Sequence, residues 1–434
     1  MNKILTMLFA VAGVFSSQAT IYYASPDGTA EADCLSENTA GDIYTAISKA
    51  KASGDIIQLA EGTYTITKSI NLNVTGTTLQ GADERDASKT ILQGPGGTTT
   101  SMPAILCNKK GTTYRKVKIR NLTVTGFYRS GKGGAAIEGQ DTGSVVSANN
   151  IMTAENCIFE NNSANFGNNA ANNSSTTVFG GTYSNCVFKL NKSKGRGGAG
   201  EGGTFIDCYF KENSINSTSG YGGALHGGTA LRCVFDGNKA RHGGGTSGTT
   251  VDCCVYSNNV STSSNTGYSG PGAAIYSGTI KNSLIYKNDA HNKDGSIVYN
   301  ANCINCTIVK NTINTKSFGA VYGGTHKNCI IIDNDNDIGG GTFYNTIYAK
   351  SESPKTTPTL TDCIQTTDAK FNAGAKADLP YYYLRASSPA RDAGMDVGWT
   401  SASVDLRGKK RISGGKVDLG CYEYQTAGFM IRVK

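Results

Sequence analysis

The sequence contains little that would build helices or cross a membrane. Leucine and glutamate are sparse, only 8 of the 434 residues are proline, and one apolar run, ILTMLFAVAGVF, stands near the start. That run follows Lys3, is too short to span a bilayer and precedes the small residues SQA. The arrangement is typical of a secretory signal peptide over residues 1–19, with a membrane anchor as the alternative. No later segment is apolar enough to cross, so we expect an exported bacterial protein, secreted or held at the cell surface, without a membrane span in the mature chain.

Other absences narrow the range of functions. The net charge of +8 is modest and the basic residues are scattered, which favours acidic partners and argues against nucleic acid. Zinc-ligand spacing and a Ser/His/Asp order are both missing, and the glycine-rich stretch GRGGAGEGG is followed by no helical pattern that would make it a nucleotide loop. Glycine is abundant, at 55 residues, but apolar residues recur at fixed offsets, which argues against a disordered chain.

One pattern recurs along the middle of the chain. Each copy has a small residue, an apolar residue two positions later and an asparagine three positions after that, as in CVFDGN. The small residues are Cys157, Cys186, Cys208, Cys233, Cys254, Ser283, Cys306 and Cys329. Their intervals of 21 to 29 residues predict a solenoid, in which equivalent residues of successive rungs stack about 4.8 Å apart.

Stacking converts each repeated position into a column. The small residue and the apolar residue two later share a face of a strand and point inward. The asparagines fall at a corner, where we expect left-handed backbone and rung-to-rung amide hydrogen bonds. The asparagine column comprises Asn162, Asn191, Asn213, Asn238, Asn259, Asn288, Asn311 and Asn334.

Thirteen cysteines in an exported protein usually indicate disulfides, but a column of in-register cysteines keeps its Cβ atoms too far apart for unstrained bonds. We therefore expect buried free thiols, with bridges between rungs as the alternative. Cys34, Cys107 and Cys421 are among the cysteines outside the column, and a bond among these three stays open. A serine in place of Cys233 would put a hydroxyl where no partner is expected.

The N-terminal part of the mature chain predicts a cap. Apolar residues at helical spacing in DIYTAISKAKASGD indicate a helix over about 42–52 with Asp42 as its N-cap, and GDIIQLAEGTYTI reads as the first strand. A helix over the open end of a β-coil would protect an edge that otherwise invites strand addition.

These features resemble known families. The helix followed by GDIIQLAEGTY and stacked rungs resembles right-handed parallel β-helix proteins of the pectate-lyase-like group, and the GGAL and FDGN repeats are similar to those of chlamydial-type polymorphic outer-membrane proteins, which are adhesin-like. The C-terminal run SSPARDAG…DLGCYEY resembles the choice-of-anchor Q segment of exported bacterial β-helix proteins. The resemblance implies a β-helix over 20–385, with regular rungs over about 115–365, and a sorting or capping segment over 386–434. The fold class is therefore all-β: a right-handed parallel β-helix solenoid with an N-terminal capping helix.

Two functions from different classes fit this fold, and the sequence favours the first by a small margin over the second. The first is an adhesin-like or glycan-binding protein that faces a polysaccharide, the cell envelope or a host surface glycan. The second is a polysaccharide lyase or glycoside hydrolase that acts on an acidic polysaccharide. A lyase needs a proton acceptor and a group that neutralises the uronate carboxylate, commonly Arg or Ca²⁺.

Two further columns supply candidate residues. Seven positions before the small residues stand Phe179, Glu201, His226, Ser247, Tyr276, Tyr299 and Tyr322, and twelve positions before them stand Arg196, Tyr221 and His242. Arg196, Tyr221, His242, Glu201 and His226 are the catalytic candidates, with solvated residues in glycine-rich turns as the alternative. Tyr276, Tyr299 and Tyr322 would form an aromatic stripe for stacking sugar rings if they point outward, and strand parity leaves inward and outward both open.

A metal site is the last candidate. DNDNDIG places Asp333, Asp335 and Asp337 at alternate positions before a glycine, which resembles the front of a calcium loop, but Tyr344 stands where that loop would end in glutamate. Ca²⁺ is the one cofactor considered, with a solvated acidic corner as the alternative.

Overall fold

The chain coils into a right-handed parallel β-helix whose three faces are three parallel sheets. This computed structural model describes residues 19–425 apart from 111–112, 115, 142–143, 149–150, 166–174, 218, 263–270, 291–294, 315–316 and 373–381. The predicted signal peptide, residues 1–19, lies outside the described residues except for Ala19, and so does most of the two long intervals that follow Asn162 and Asn259. In the part of the chain that the structure describes, no helix has the length and apolar character needed to cross a membrane.

The first sheet holds the strand that precedes each cysteine. In the rungs just before Thr246 this strand is two short pieces separated by glycines, and from Thr246 to Tyr344 each rung has one strand of seven residues. Its strands are Ile21–Thr29, Ile56–Leu59, Ile70–Leu72, Thr78–Gln80, Ile105–Lys110, Thr113–Tyr114, Val117–Arg120, Gly133–Asp141, Ser144–Val146, Met152–Glu155, Ser175–Phe179, Thr182–Ser184, Gly200–Glu201, Thr204–Ile206, Leu225–His226, Thr229–Leu231, Thr246–Asp252, Ile275–Lys281, Val298–Ile304, Val321–Lys327, Ile338–Tyr344 and Thr359–Thr361.

The second sheet follows the cysteine corner and carries the aromatic position of the repeat. Its strands are Gly62–Thr65, Thr90–Gln93, Thr123–Thr125, Ile158–Glu160, Val187–Lys189, Tyr209–Lys211, Val234–Asp236, Val255–Ser257, Leu284–Tyr286, Thr307–Val309, Ile330–Ile332, Ile347–Tyr348 and Ile364–Gln365.

The third sheet follows the asparagine corner and consists of two-residue strands. They are Tyr128–Arg129, Ser163–Ala164, Lys192–Ser193, Ser214–Ile215, Lys239–Ala240, Val260–Ser261, Asp289–Ala290 and Thr312–Ile313.

Helix is confined to the N-terminal half of the described chain. The predicted cap is the α-helix Ile43–Lys49, where the Asp42 carboxylate accepts hydrogen bonds from the backbone N–H groups of Tyr44 and Thr45 at 2.8 and 2.9 Å. Ile43 and Ala46 are buried against the first strands, so the helix closes the core as expected. Two short 3-10 turns, Glu37–Thr39 and Ala87–Lys89, complete the helical residues.

The predicted core columns are present. Phe159, Phe188, Phe210, Phe235 and Tyr256 stack ring on ring with centroids 4.6 to 4.9 Å apart, which is the spacing between rungs. The cysteines of the repeat are at most 2% exposed and all thirteen thiols of the chain are free, including Cys34, Cys107 and Cys421. The expectation of buried free thiols is therefore confirmed.

One expectation about the cysteine column is wrong. The Cys233 thiol points to the carbonyl of Leu231 at 3.3 Å, and every column cysteine from Cys157 to Cys329 points to the carbonyl two residues earlier. Ser283 occupies the same column and donates its hydroxyl hydrogen bond to Lys281 O at 2.6 Å. A hydroxyl in this column therefore has a partner, because each corner aims a backbone carbonyl at the side chain.

The asparagine column is a continuous hydrogen-bonded ladder. Each side-chain oxygen accepts from the backbone N–H and the amide of the asparagine one rung earlier, as Asn259 does from Asn238 at 3.1 and 3.0 Å. The second amide hydrogen of Asn238 goes to Phe210 O at 3.0 Å. The asparagines themselves do not have a left-handed backbone conformation. The residue before each one does, for example Gly237 at φ 66°. This corrects the expected turn geometry: the left-handed residue makes the corner and the asparagine ties the rungs together.

The C-terminal segment lies along the outside of the second sheet. Leu419, Cys421 and Tyr422 pack against outward residues of that sheet, including Leu284 and Ile330, and bury them. Asn305 and Asn328 at the cysteine corner donate amide hydrogen bonds to Asp418 O and Met395 O, at 2.8 and 2.9 Å. The segment is thus fastened to the side of the coil.

A buried ionic cluster holds this segment together. Arg411 is fully buried and donates from Nη2 to the carbonyls of Asp418 and Gly420 at 2.8 and 2.7 Å. Its Nε lies 4.0 Å from Glu423 Oε2, and burial raises the pKa of the Glu423 carboxyl to about 7. Asp405 accepts the backbone N–H groups of Arg407, Lys409 and Glu423.

Candidate functional site

The two predicted columns lie side by side on the outer surface of the first sheet. Strand register aligns Phe179, Glu201, His226, Ser247, Tyr276, Tyr299 and Tyr322 on successive rungs. Their preceding neighbours, such as Leu225, Ile275 and Val298, are fully buried in the core. The column therefore points outward, which settles the question that strand parity left open. Ser247 differs from the other members of the column because it is only 1% exposed.

The second column, Arg196, Tyr221 and His242, is also in register through isolated parallel bridges. The Tyr221 and His242 rings stack with centroids 4.7 Å apart and planes 16° apart. Glycines on either side make this edge of the sheet compact: a Cβ on Gly222 would lie 2.0 Å from Leu225 O. The backbone thus brings the polar side chains of both columns next to each other.

Contacts across the two columns make one cluster. Arg196 Nη1 lies 3.9 Å from Glu201 Oε1, and the Tyr221 ring lies 6.1 Å from the ring of His226 on the same rung. The Glu201 side chain is 12% exposed and that of Arg196 is 31% exposed, so the pair is partly withdrawn from water. All five catalytic candidates are brought together by the fold, and we call them the histidine cluster: Arg196, Glu201, Tyr221, His226 and His242.

Both histidines of the cluster are held in the neutral form. Burial lowers the pKa of His226 to about 4, with a further contribution from the nearby Arg196 charge. Burial likewise lowers the pKa of His242 to about 4, assisted by Arg241. Nδ1 of each ring is buried and has no hydrogen-bond partner among the described residues. A neutral imidazole carries one unprotonated ring nitrogen, so each ring can accept a proton at neutral pH.

The tyrosine stripe continues from this cluster along the coil. The rings of Tyr276 and Tyr299 stack 5.5 Å apart with planes 5° apart, and those of Tyr299 and Tyr322 stack 5.4 Å apart at 21°. Phe318 covers the far end, 4.8 Å from Tyr322, and His242 lies 5.1 Å from Tyr276 at the near end. Neighbouring rings therefore cover one another's faces, and the stripe presents ring edges and hydroxyls to solvent. Stacking of sugar rings on these faces, as the sequence suggested, would require the stack to open.

Some contacts and some residues of the coil surface were not identified from the sequence. Tyr276 belongs to the stripe but also contacts Tyr221 and His242, at 5.6 and 5.1 Å, because the first sheet brings it beside the second column. Arg129 binds the fully buried Glu138 through two contacts of 2.8 and 3.1 Å. Glu138 precedes the regular repeats and has no period to mark it, so only the isolated acidic residue in GGAAIEG could have drawn attention.

The three aspartates of the calcium hypothesis have separate structural roles. Asp337 is fully buried, and its two oxygens accept hydrogen bonds from Asn334, Ala349 and Lys350. Asp335 Oδ2 accepts from the backbone N–H of Ile313 at 2.8 Å, and Asp333 is the left-handed corner residue. Over the described ranges, the structure contains no group of three or more His, Cys, Asp or Glu side chains that could hold a metal ion. The alternating spacing therefore does not produce a cluster, because a corner between two sheets turns the three side chains apart.

Comparison with known proteins bears only on the fold of the chain. No protein-family model matches the chain, and no curated protein matches it in sequence. Among solved structures, it is similar to the pectate lyase Pel9A (16% identity, 94% of this chain and 97% of that one, TM-score 0.36) and to XylC in complex with xylose (10%, 82% and 88%, 0.40). The A-module of the Azotobacter vinelandii mannuronan C-5 epimerase AlgE4 is a third (14%, 71% and 86%, 0.35). At these identities and TM-scores the functional argument rests on the chain's own residues.

Proposed function

We propose that the protein is a polysaccharide lyase that cleaves an acidic, uronate-containing polysaccharide at the histidine cluster. The observation that carries this proposal is the meeting of a guanidinium, a phenol and two neutral imidazoles on the outer face of consecutive rungs. These are the groups that β-elimination requires: a cation for the carboxylate, a proton acceptor and a proton donor.

In this reaction Arg196, His226 and Tyr221 each have one role. Arg196 pairs with the uronate carboxylate and stabilises the negative charge that develops when the neighbouring carbon loses its proton. His226 accepts that proton, the released electron pair forms a carbon–carbon double bond, and the glycosidic oxygen leaves with the bonding pair. Tyr221 donates the proton that this oxygen needs, and both residues then exchange protons with water.

The remaining residues of the cluster position these groups. Glu201 holds the Arg196 side chain at 3.9 Å, and the His242 ring supports the Tyr221 ring by stacking at 4.7 Å. A base with a pKa of about 4 is weak in the empty site, but a bound carboxylate favours the protonated imidazole and raises that pKa toward neutrality. Binding of an acidic substrate would therefore raise the pKa of His226, the base that removes a proton from that substrate.

The second candidate function is glycan binding without turnover. The tyrosine stripe favours it, because three phenol groups spaced at rung intervals can hydrogen-bond successive units of an extended polymer. An adhesin-like protein facing a cell-envelope or host glycan would use the same surface. The two functions differ in whether the polymer is cut.

The test is incubation with uronate polymers, monitored by the ultraviolet absorbance of unsaturated products. We expect His226→Gln and Tyr221→Phe each to lower the rate at least about 100-fold, since a general acid or base contributes that much. Lys211→Ala, a partly exposed position on the second sheet one rung before that of His226, is the control and should leave the rate unchanged. No product from any uronate polymer would refute the lyase, and retention of the polymer without cleavage would support the binding function.

We also propose that the chain is exported and held outside the cell. The apolar N-terminal run and the likeness of residues 386–434 to a choice-of-anchor segment support this. The similarity of the repeats to those of chlamydial-type outer-membrane proteins supports a surface location. Fractionation of cells that produce the full chain, with N-terminal sequencing of the mature protein, tests cleavage after Ala19.

A further inference from the structure

A cavity lies between the C-terminal segment and the coil, away from the histidine cluster. It has a volume of about 560 Å³ and opens at the cysteine corner beside Asn345 and Asp362. Asn345 lies four rungs beyond the rung of His242, or about 19 Å along the axis at strand spacing, and at the opposite edge of the first sheet. The cavity therefore belongs to neither the histidine cluster nor the tyrosine stripe.

The lining of the cavity combines apolar side chains with two exposed acidic residues. Met395, Val397, Trp399 and Val417 supply the apolar surface, and Trp399 is the single tryptophan of the chain. The exposed residues Asp362 and Asp396 also line the cavity, with Lys416 as the one cation in the lining. A volume in this range accommodates a ligand of one or two sugar rings.

The walls are fixed to the rigid coil. Trp399 Nε1 donates to Asn305 Oδ1 at 2.7 Å, which uses the polar edge of the indole and orients the ring. Met395 exchanges hydrogen bonds with Asn328, from N to Oδ1 and from Nδ2 to O, both at 2.9 Å. Gly394 N donates to Val417 O at 2.8 Å and joins two parts of the segment. The aromatic surface is therefore pre-organised, which lowers the entropy lost when a ligand binds.

The chemistry of the lining selects among ligands. A pyranose ring has an apolar face of C–H groups, which suits the indole, and hydroxyls at its rim, which suit carboxylate acceptors. Within the lining, which does not include Lys281, two carboxylates stand against one ammonium, and this balance disfavours a uronate. An organic cation is also disfavoured at the ring, because the Lys281 ammonium already lies 5.9 Å from the Trp399 centroid.

We infer that this cavity, the Trp399 pocket, binds an uncharged pyranose unit of a glycan and acts as a non-catalytic anchoring site. The inference does not rest on the proposed lyase activity. The protein would bind a neutral sugar at one edge of the first sheet whether or not the histidine cluster at the other edge is catalytic.

The single tryptophan makes the test specific. Fluorescence of the full-length mature protein is titrated with xylotriose, cellotriose and mannotriose, and in parallel with a galacturonate trimer and tetramethylammonium. We expect a saturable change in intensity or wavelength with at least one neutral trimer and none with the acidic or cationic probe. Saturation by the galacturonate trimer or by tetramethylammonium, or no response to any neutral trimer in the millimolar range, would overturn the inference.

Variants separate this pocket from the lyase site. Asp362→Asn and Asp396→Asn together should weaken neutral-sugar binding about tenfold, a loss of about 1.4 kcal/mol, while the circular dichroism stays unchanged. His226→Gln should leave the fluorescence response intact, so that failure of the lyase proposal is seen separately. If the double variant binds the trimer as tightly as the parent chain, the Trp399 pocket is not the site.

Discussion

Asn334 ends its ladder on Asp337, a carboxylate only three residues away in the same chain. The backbone N–H and the amide of Asn334 both donate to Asp337 Oδ1, at 3.3 and 3.0 Å, where every earlier asparagine donates to another asparagine. Asp337 Oδ2 meanwhile accepts the N–H groups of Ala349 and Lys350, both at 2.8 Å. Asp337 therefore replaces the next asparagine and joins the last rungs to the turn that follows.

This relationship predicts the effect of Asp337→Asn. An amide has one acceptor oxygen, so the variant must leave either the Asn334 donors or the Ala349 and Lys350 donors unpaired. We expect the free energy of unfolding to fall by about 1–3 kcal/mol, measured by urea denaturation. Asp333→Asn, at the exposed corner nearby, is the control and should change little. Unaltered stability of Asp337→Asn would contradict the assignment of Asp337 as the end of the ladder.

Asn238→Ala tests the middle of the ladder. The change removes two donors and one acceptor oxygen from a fully buried site, and it leaves Asn213 and Asn259 without their partner. We expect a loss of about 2–3 kcal/mol and a matching fall in the thermal midpoint. Thr229→Ala, an exposed position on the first sheet of the same rung, serves as the control. Equal stability of the two variants would show that the amide ladder contributes nothing.

Cys233→Ser should be mild because Ser283 already shows how a hydroxyl is accommodated. We expect a cost below about 1 kcal/mol, since the Leu231 carbonyl supplies an acceptor. Burial also raises the pKa of the Cys233 and Cys254 thiols, so a thiol reagent should label few of the column cysteines before denaturation and all thirteen after it. Rapid labelling of the native protein would refute the packing of the column.

Stability should fall in mild acid because of buried neutral histidines. The pKa values of His226, His242 and His326 are each lowered from 6.5 to about 4 by burial. Between these values the unfolded chain binds protons that the folded chain does not, so stability is complete above pH 6.5 and declines as the pH falls toward 4. Replacing His226 and His242 by Gln should make the decline shallower in thermal midpoints at pH 4.5, 5.5 and 6.5. Parallel pH profiles for both proteins would contradict the lowered pKa values.

Arg411→Met tests the cluster that holds the C-terminal segment. It removes a buried cation and leaves Glu423, Asp405 and Asp418 without its charge, which costs about 3–5 kcal/mol in comparable buried pairs. Because the segment covers Leu284 and Ile330, we expect cleavage by a protease within 386–425 and increased binding of a hydrophobic dye. Lys409→Met, an exposed neighbour in the segment, is the control. Protease resistance equal to that of the control would show that the segment is held without Arg411.

The repeat made much of this structure predictable. The spacing of Cys, Phe and Asn predicted the coil, its inward columns and the amide ladder, because stacking gives each repeated position a single environment. The candidate residues Arg196, Tyr221 and His242 also followed from the repeat, since a fixed offset places them on neighbouring rungs. The lowered pKa of His242 did not follow, because burial at the edge of the sheet depends on turns whose lengths vary.

The sequences of the second-sheet strands indicate where the C-terminal segment packs. In IFE, VFK, YFK and VFD the second-sheet strand ends in a charged residue, whereas LIY, TIV and III are apolar or uncharged throughout. A strand without alternation is buried on both sides, so the change from Val234–Asp236 to Ile330–Ile332 marks where a covering element begins. The Trp399 pocket had no such signal, because Asp362 and Trp399 come from segments without a shared period.

The asparagine column also acts as a line of aligned dipoles. Each amide from Asn162 to Asn311 donates one N–H to the following asparagine, and each side-chain oxygen accepts from the preceding rung, so the C=O dipoles align along the axis as they do in an α-helix. The negative end meets the backbone N–H of Phe127 at 3.1 Å, and the positive end meets the carboxylate of Asp337. The coil therefore has an electrical polarity set by eight neutral side chains, and the one acidic group on that line stands at the end where negative charge is favoured.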